Sequence, residues 1–334
     1  MPLNSGEVRV LVIGGTGLVG RTIVEVLYDR EFPLSELQVA ASSASTGKYI
    51  NFGDAEIPVK EFDPSLFRNC DLVFFAGRDG LSKEFCPKAV EEGCYVIDNS
   101  ADFRLESGVP LVVPEVNAHI LPDKPALIAN PNCTTIQVAI ALAPLDKWFG
   151  LERVIAATYQ SISGAGQEAL DSMLEASLDI LDGSEPDPAN IAFNLFPAVG
   201  SAGQGGYFGE EFKLKYELRK ILDKPGLPVA PMVVRVPTMF GHGAALFVEL
   251  SKAVPLEQVR EVLNRAASVV VYPDGPSPTP VQATGTDEVH VGRIHLEPAL
   301  NNGVALWVVA DNLRVGAATN AVRIAEVLLE RVVG

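Results

Sequence analysis

The stretch Asn130-Pro131-Asn132-Cys133-Thr134-Thr135-Ile136-Gln137 sets one cysteine between a proline-containing loop and an apolar run free of Gly and Pro until Pro144. That run predicts a largely buried helix with Cys133 in its first turn. The leading N–H groups of a helix have no intrahelical acceptor and its dipole is positive at that end, so an anion is favoured there and the thiolate fraction rises. A thiolate so placed is a nucleophile for carbonyl carbon. A buried structural cysteine is the competing reading, because free Cys is among the most buried residue types. Arg235 stands in the otherwise apolar Val233-Val234-Arg235-Val236-Pro237. An unpaired guanidinium there is costly, so it needs either the carboxylate of a substrate or an internal salt bridge. Of the four histidines, His242 alone is flanked by glycines, and imidazole suits proton transfer near neutral pH. His119, His290 and His295 read as surface or core residues. Glu210 and Lys213, three apart, share one helical face, which taken alone is a solvated face.

A cofactor is signalled separately. The β-branched, apolar segment Val8 to Ile13 runs into Gly14-Gly15-Thr16-Gly17-Leu18-Val19-Gly20 and then into a helical stretch from Arg21 to Tyr28. In that setting Gly15, Thr16, Gly17, Leu18, Val19 and Gly20 form a dinucleotide fingerprint, whose backbone N–H groups approach a pyrophosphate. A plain strand-to-helix turn is the alternative. NAD-selective sites usually carry Asp or Glu at the end of the second strand, whereas Ala41-Ser42-Ser43-Ala44-Ser45-Thr46-Gly47-Lys48 contains no acid. Ser42, Ser43 and Ser45 with Lys48 fit a 2′-phosphate, so NADP is favoured and NAD stays open; any one serine also reads as a solvated turn.

These residues need elements to carry them. Further strands are expected at Leu37–Ala41, Asp71–Ala76, Tyr95–Asp98, Leu111–Val113 and Ala126–Ala129, with a helix at Ser82–Glu92 between two of them. Short buried strands alternating with helices predict an α/β, Rossmann-like doubly wound sheet. From about Val154 the texture changes to longer strand candidates, Val154–Gln160, Met232–Val236, Ala244–Leu250 and Ala305–Ala310, among Gly- and Pro-rich loops. That predicts a second, α+β domain with a mixed or antiparallel sheet. We place a dinucleotide-binding domain at 1–132, completed by an amphipathic C-terminal helix at 316–334, and a catalytic domain at 133–315. Asp182–Pro188 and Asp274–Pro280 are expected to be exposed connections.

At 334 residues and 48% hydrophobic content the chain supports two sizeable cores. A formal net charge of −16 argues against nucleic acid and anionic membranes, and no basic patch overrides it. No apolar run spans a bilayer and the N-terminus has no signal-peptide pattern, so a cytoplasmic location is expected. Cys70, Cys86, Cys94 and Cys133 are too few and too irregularly spaced for a disulfide framework or a metal cluster.

A Rossmann domain with a reactive cysteine at a helix start points to aldehyde or acyl chemistry. A series of motifs now adds to that reading: the glycine loop, Asp98-Asn99-Ser100, Val112-Val113-Pro114-Glu115-Val116-Asn117, Asn130–Thr135, Thr158–Gly166, Val234–Thr238 and Gly241-His242. In this order, over nearly the whole chain, it resembles the aspartate-β-semialdehyde dehydrogenase family. The resemblance implies a phosphorylating aldehyde dehydrogenase, NADP-dependent and homodimeric through the second domain, that interconverts L-aspartate 4-semialdehyde and 4-aspartyl phosphate in the biosynthesis of aspartate-family amino acids. It implies that Cys133 forms the thioester, His242 is general acid/base and Gln160 orients the substrate. Arg235 would bind the α-carboxylate, Glu210 the amino group, and Lys213 and Arg104, assisted by Asn132, the phosphate. Ser163, Gly164 and Asn312 would lie near the nicotinamide.

The chain departs from the family pattern at two informative places. Asp102 stands two residues from Arg104, where its charge would repel phosphate, and Ala44 stands where the family often carries an arginine for the 2′-phosphate. Three alternatives are weighed. An N-acyl-glutamyl-phosphate-type reductase would lack the pairing of Arg235 and Glu210 for a free α-amino acid. A non-catalytic nucleotide-binding paralogue is opposed by the joint presence of Cys133, Gln160 and His242, and a sugar-phosphate dehydrogenase needs a different phosphate pocket.

Overall fold

The computed structural model describes residues 8–77, 80–272 and 275–333. The readings of the extreme N-terminus, of Asp274 and of Gly334 fall outside the described residues. The chain begins with β1 (Val8–Ile13), α1 (Leu18–Asp29), β2 (Leu34–Ala41), β3 (Tyr49–Phe52), β4 (Ala55–Glu61), β5 (Leu72–Phe75), α2 (Leu81–Glu91), β6 (Tyr95–Asp98), α3 (Pro114–Asn117) and β7 (Leu127–Ala129). Then come α4 (Cys133–Phe149), β8 (Leu151–Gln160), α5 (Gln167–Leu181), α6 (Gly209–Ile221), β9 (Val229–Arg235), β10 (His242–Leu250) and α7 (Leu256–Asn264). The last are β11 (Val269–Val271), α8 (Pro280–Ala283), β12 (Val289–Glu297), β13 (Gly303–Ala310) and α9 (Thr319–Val333). Two compact units result: Met1–Asn132 with Ala317–Gly334, and Cys133–Gly316.

In the first unit the sheet order is β3-β4-β2-β1-β5-β6-β7, parallel except for the β3–β4 hairpin. Period-2 side-chain alternation explains why its central strands are apolar throughout. Val10, Val12, Phe74 and Ile97 face the core formed with α1 and α9, while Leu11, Ile13, Val73, Phe75 and Val96 face the core containing Cys86 and Ala89 of α2. Each fully buried Val, Leu, Ile or Phe contributes roughly 1.5–3 kcal/mol. The expected strand Leu111–Val113 is reduced to a single bridge, Leu111 to Ala129. Pro114 is the reason: without an N–H it cannot continue a ladder, and it begins α3 instead.

In the second unit the order is β11-β12-β13-β10-β8-β9, a mixed sheet with β8–β9 and β11–β12 parallel. Helix α4 packs on it and does not stop at Pro144. A proline inside a helix costs about 3 kcal/mol, which burial of Leu142, Leu145 and Phe149 offsets. The connection at Asp182–Pro188 is exposed as expected, but Pro278 is buried and its carbonyl accepts Trp307 Nε1–H at 2.8 Å. Among the described residues no helix is long and apolar enough to cross a membrane, and no cluster of His, Cys, Asp or Glu could hold a metal ion.

Candidate active site

The glycine turn of the first unit is packed so tightly that most of its glycines admit no side chain. A Cβ on Gly14 (φ +77°) would lie 2.3 Å from Ala76 O, one on Gly15 2.2 Å from Val39 Cγ1, and one on Gly20 2.3 Å from Gly14 O. Gly17 differs: its nearest neighbour would be Gly14 O at 3.4 Å, and the residue is exposed. It is the N-cap of α1 and supplies no side-chain cap, so the first N–H groups of that helix, at Leu18 and Val19, await an acceptor. A cradle of this form fits a dinucleotide pyrophosphate. Thr16 Oγ1 lies 3.2 Å from Ser45 Oγ, which brings the glycine turn and the serine loop together. Ser42 and Ser43 are exposed and Ser45 is half-buried.

Arg104 is buried, and its Nε–H and Nη2–H donate to the carbonyls of Asn130 (2.9 Å) and Asn99 (2.8 Å). Asn130 in turn donates to Asn99 Oδ1 at 2.8 Å and accepts from Asn320 at 2.6 Å, which fixes the loop that ends in the buried Asn132. Asp102 was expected to oppose an anion beside Arg104. Its carboxylate lies at the start of α2, where Oδ2 accepts from Gly80 N–H (2.7 Å) and Ser82 Oγ–H (2.5 Å), with Lys83 4.0 Å away. Burial raises this carboxyl, yet Ser82, Gly80 and Lys83 outweigh it and hold the group below its ordinary range.

In the second unit, strand register brings four ends to one edge of the sheet. Gln160 pairs with Arg235 where β8 and β9 run out together, and His242 at the start of β10 pairs with Ala310 at the end of β13, two residues before Asn312. Cys133 is the first residue of α4 and half-buried, and a Cβ on Gly316 would lie 2.8 Å from its Cβ. Gln160, 1% exposed, donates to Thr134 Oγ1 in the same turn at 2.8 Å.

Arg235 is 9% exposed, and no carboxylate pairs with it within 4 Å among the described residues; its Nη1–H donates to Ser161 O at 2.7 Å. Burial therefore pulls its guanidinium down, and Cys133 and Glu210 act in the opposite sense, which puts both within its electrostatic reach. Among the described residues Arg235 has no internal salt bridge, and its need for an anion remains. Glu210 and Lys213 are not a merely solvated face: they form a 2.7 Å ion pair, with Glu210 largely covered.

His242 is wholly buried. Its Nδ1 accepts the Ser161 backbone N–H at 3.0 Å, with Ser161 Oγ also at 3.0 Å, while Nε2 has no partner. Burial, reinforced by the Arg235 charge, pushes this imidazole down to about 3. Gly164 covers both groups: a Cβ there would lie 2.9 Å from Arg235 Nη1 and 3.3 Å from His242 Nε2. Asn312 Oδ1 accepts from Gly241 N–H (2.9 Å) and from the hydroxyls of Ser161 (3.0 Å) and Ser163 (3.2 Å), so it holds the histidine loop in place. His119 and His295 are exposed, and His290 bonds Tyr272 and Thr286.

Comparison with known proteins places the chain in a family. Residues 9–123 match the family description "Semialdehyde dehydrogenase, NAD binding domain", and residues 142–315 match "Semialdehyde dehydrogenase, dimerisation domain". The aspartate-semialdehyde dehydrogenase of Aquifex aeolicus is 42% identical, with 96% of this chain and 98% of that protein covered. The Legionella pneumophila enzyme is 41% identical, covering 97% and 96%. The chain belongs to the aspartate-semialdehyde dehydrogenase family. The crystal structure of aspartate semialdehyde dehydrogenase II from Vibrio cholerae, complexed with ASA, superposes with a TM-score of 0.93 at 39% identity, over 98% of this chain and 99% of that one.

As an aspartate-semialdehyde dehydrogenase the chain is an oxidoreductase, and several residues that shape its site were not singled out by sequence. Ser161 acts through its main-chain N–H and carbonyl, which residue type does not reveal. Gln137 donates to His242 O at 3.2 Å from one turn beyond Cys133. Glu211, buried beside Glu210, accepts the N–H groups of Phe208 (2.7 Å) and Val233 (3.2 Å) and so ties α6 to the strand that carries Arg235. Acid at the third position of a helix was the available signal.

Proposed function

We propose that the chain interconverts L-aspartate 4-semialdehyde and 4-aspartyl phosphate through a thioester on Cys133. The observation that carries this reading is the buried Arg235 without a carboxylate partner, set against an imidazole nitrogen that lacks one as well, in electrostatic reach of a cysteine at a helix start. A substrate α-carboxylate satisfies Arg235, and the substrate amino group meets Glu210. Gln160, held by Thr134, orients the reacting carbonyl, and the N–H groups at the start of α4 stabilise the oxyanion. Cys133 displaces phosphate from the acyl carbon, and Lys213, Arg104 and Asn132 hold that phosphate as it leaves or enters. His242 supplies a hydrogen bond or a proton at Nε2. When bound, a nicotinamide supplies or accepts the hydride.

NADP is the proposed cofactor. The loop after β2 presents Ser42, Ser43, Ser45 and Lys48 and no acid to a 2′-phosphate, while Ala44 leaves NAD as a weaker substitute. The family description of residues 142–315 as a dimerisation domain supports a homodimer. A reducing, cytoplasmic setting suits a chain whose described cysteines form no disulfide. The proposed role is biosynthesis of aspartate-family amino acids.

The test is phosphate-dependent reduction of NADP with aspartate semialdehyde, repeated with NAD. N-acetyl-glutamyl semialdehyde serves as the competing substrate, because an acylated amine gives Glu210 no charge to bind. Turnover with the free amino acid that requires phosphate and Cys133 supports the reading. Turnover with the acylated substrate alone overturns it.

A further inference from the structure

Four side-chain oxygens between β6 and α2 form an unbroken row. Asp98 Oδ2 lies 2.7 Å from Ser100 Oγ, Ser100 Oγ lies 2.7 Å from Ser82 Oγ, and Ser82 Oγ lies 2.5 Å from Asp102 Oδ2. Each of these three contacts has the length of an O–H···O bond and needs a hydrogen between its oxygens. The two serines bring only two. With both carboxyls ionised, one contact would set lone pairs against lone pairs at 2.7 Å or less, so the row holds a third hydrogen and a carboxyl supplies it.

The surroundings decide which carboxyl it is. Asp102 also accepts from Gly80 N–H and stands 4.0 Å from Lys83, so against its partial burial it stays below its ordinary range, as a carboxylate. Asp98 is fully buried at the end of β6, between Phe75 of β5 and Ala129 of β7, which carry no charge. Burial raises Asp98; Ser100 and the Arg104 charge oppose the rise without prevailing, and the Asp102 charge adds to it. Cys86 of α2 stays a thiol, because burial and then these two carboxyls push it up. With the proton on Asp98 every position in the row is used. Oδ1 accepts Ser100 N–H at 3.0 Å, Oδ2–H donates to Ser100 Oγ, and Ser100 Oγ accepts Asp102 N–H at 3.1 Å while donating to Ser82, which donates to Asp102.

We propose that Asp98 is a neutral carboxylic acid at pH 7, and that the hydrogen-bonded row from it through Ser100 and Ser82 to the Asp102 carboxylate is a pH-sensitive latch holding the loop that carries Arg104 against α2. The latch reaches Arg104 through the main chain. Arg104 donates to the carbonyls of Asn99, which lies between Asp98 and Ser100, and of Asn130, whose own N–H donates to Asp98 O at 2.8 Å. When the proton leaves, one pair of oxygens in the row is set in opposition, the loop parts from α2, and Arg104 shifts with it. Asp98 is thus a positioning residue. What concerns phosphate rests on the reading of Arg104 given above, whereas the location of the proton does not.

Asparagine is the isostere of the neutral acid: its oxygen accepts where Oδ1 does and its NH2 donates where Oδ2–H does. Infrared difference spectra of the full chain at pH 7, wild type minus Asp98→Asn, are expected to show a carboxylic C=O stretch that shifts in D2O. In Ser82→Ala the Ser100 hydroxyl is released to donate to Asp98, so the band should titrate away at lower pH than in wild type. Carboxylate bands in its place, or an unchanged midpoint in Ser82→Ala, overturn the proposal. Denaturant unfolding gives a second reading. Folded Asp98 keeps its proton above the ~3.9 at which an unfolded aspartate loses it, so wild type should lose stability relative to Asp98→Asn as pH rises from about 4. A wild type that gains on Asp98→Asn over that range overturns it as well. In kinetics, Asp98→Asn should keep the wild-type kcat/KM for phosphate, while Asp98→Ala lowers it toward the roughly 10²-fold that misplacement by an ångström costs. Equal loss in both variants rejects the latch. The acid band without phosphate-dependent turnover rejects the phosphate reading of Arg104, and turnover without the band rejects the proton.

Discussion

Two groups that ordinarily seek water, the Arg235 guanidinium and the His242 imidazole, are buried under the Cα of Gly164. Gly164→Ala adds one methyl within 2.9 Å of Arg235 Nη1 and 3.3 Å of His242 Nε2, so one of them must move. Displacements of that order cost about 10²-fold in rate. The expected outcome is a fall in kcat approaching that size with an unchanged melting temperature; full activity would mean that the two groups do not act together. Cys133→Ser is expected to lower turnover by at least about 10³-fold while the fold persists, since a serine there has no adjacent base to activate it. Arg235→Lys keeps the charge but loses the planar fork, so KM for aspartate semialdehyde should rise by roughly 10–100-fold with kcat less affected. Steady-state kinetics on each purified variant measure these effects.

At the scale of elements, the site is assembled by ends: β8, β9, β10 and β13 all finish or begin at one edge of the sheet. Glu211 holds that edge through two accepted N–H bonds on opposite sides of its carboxylate. Glu211→Ala leaves the Phe208 and Val233 N–H groups without this acceptor, at roughly 1–3 kcal/mol each if they stay dry. Thermal denaturation should fall by several degrees and KM should rise with it, because Arg235 lies two residues from Val233.

The sequence carried the parallel sheet, the glycine turn and the strand candidates of the second unit plainly, because runs such as Leu72–Phe75 are buried on both faces and need no partner to be recognised. It did not carry the β3–β4 hairpin, whose residues are mostly exposed and follow no clean alternation. Cys133, Arg235 and His242 were legible because each is chemically out of place in its surroundings. Ser161 and Glu211 were not, because what they contribute is a main-chain donor in one case and an unremarked buried acceptor in the other. The surroundings of Asp102 were not legible, because its partners Gly80 and Ser82 come from another part of the chain; they hold it as a carboxylate at the start of α2.

At the scale of the molecule, the buried His242 makes stability depend on pH. Its folded value of about 3 lies below the ordinary ~6.5 of an unfolded histidine, so the unfolded chain takes up the extra proton. Its contribution is fully present above about pH 6.5 and is lost as pH falls toward 3, at about 1.4 kcal/mol per pH unit once the difference is a whole proton. Denaturant unfolding of wild type and His242→Gln between pH 8 and pH 5 should give curves that converge in acid; parallel curves would show that the ring is not buried neutral. The first unit also depends on its last helix. Val322, Ile324, Leu328 and Leu329 of α9 lie in its core, and at roughly 1.5–3 kcal/mol each they rival the 5–15 kcal/mol that keeps a domain folded. The pairs Arg30–Glu326 and Arg323–Glu115 add less. A chain ended at Ala318 is expected to be insoluble or readily cut by protease.

That closing helix has a consequence for biogenesis. The sheet of the first unit cannot complete its packing until α9 has been translated, and the whole second unit intervenes. At ~5–20 residues per second the wait is roughly 10–40 s, during which the flank of the emerging sheet that α9 will cover stays bare. The strands and helices of the first unit that precede α4 are thus the natural client for a holding chaperone until α9 has been made.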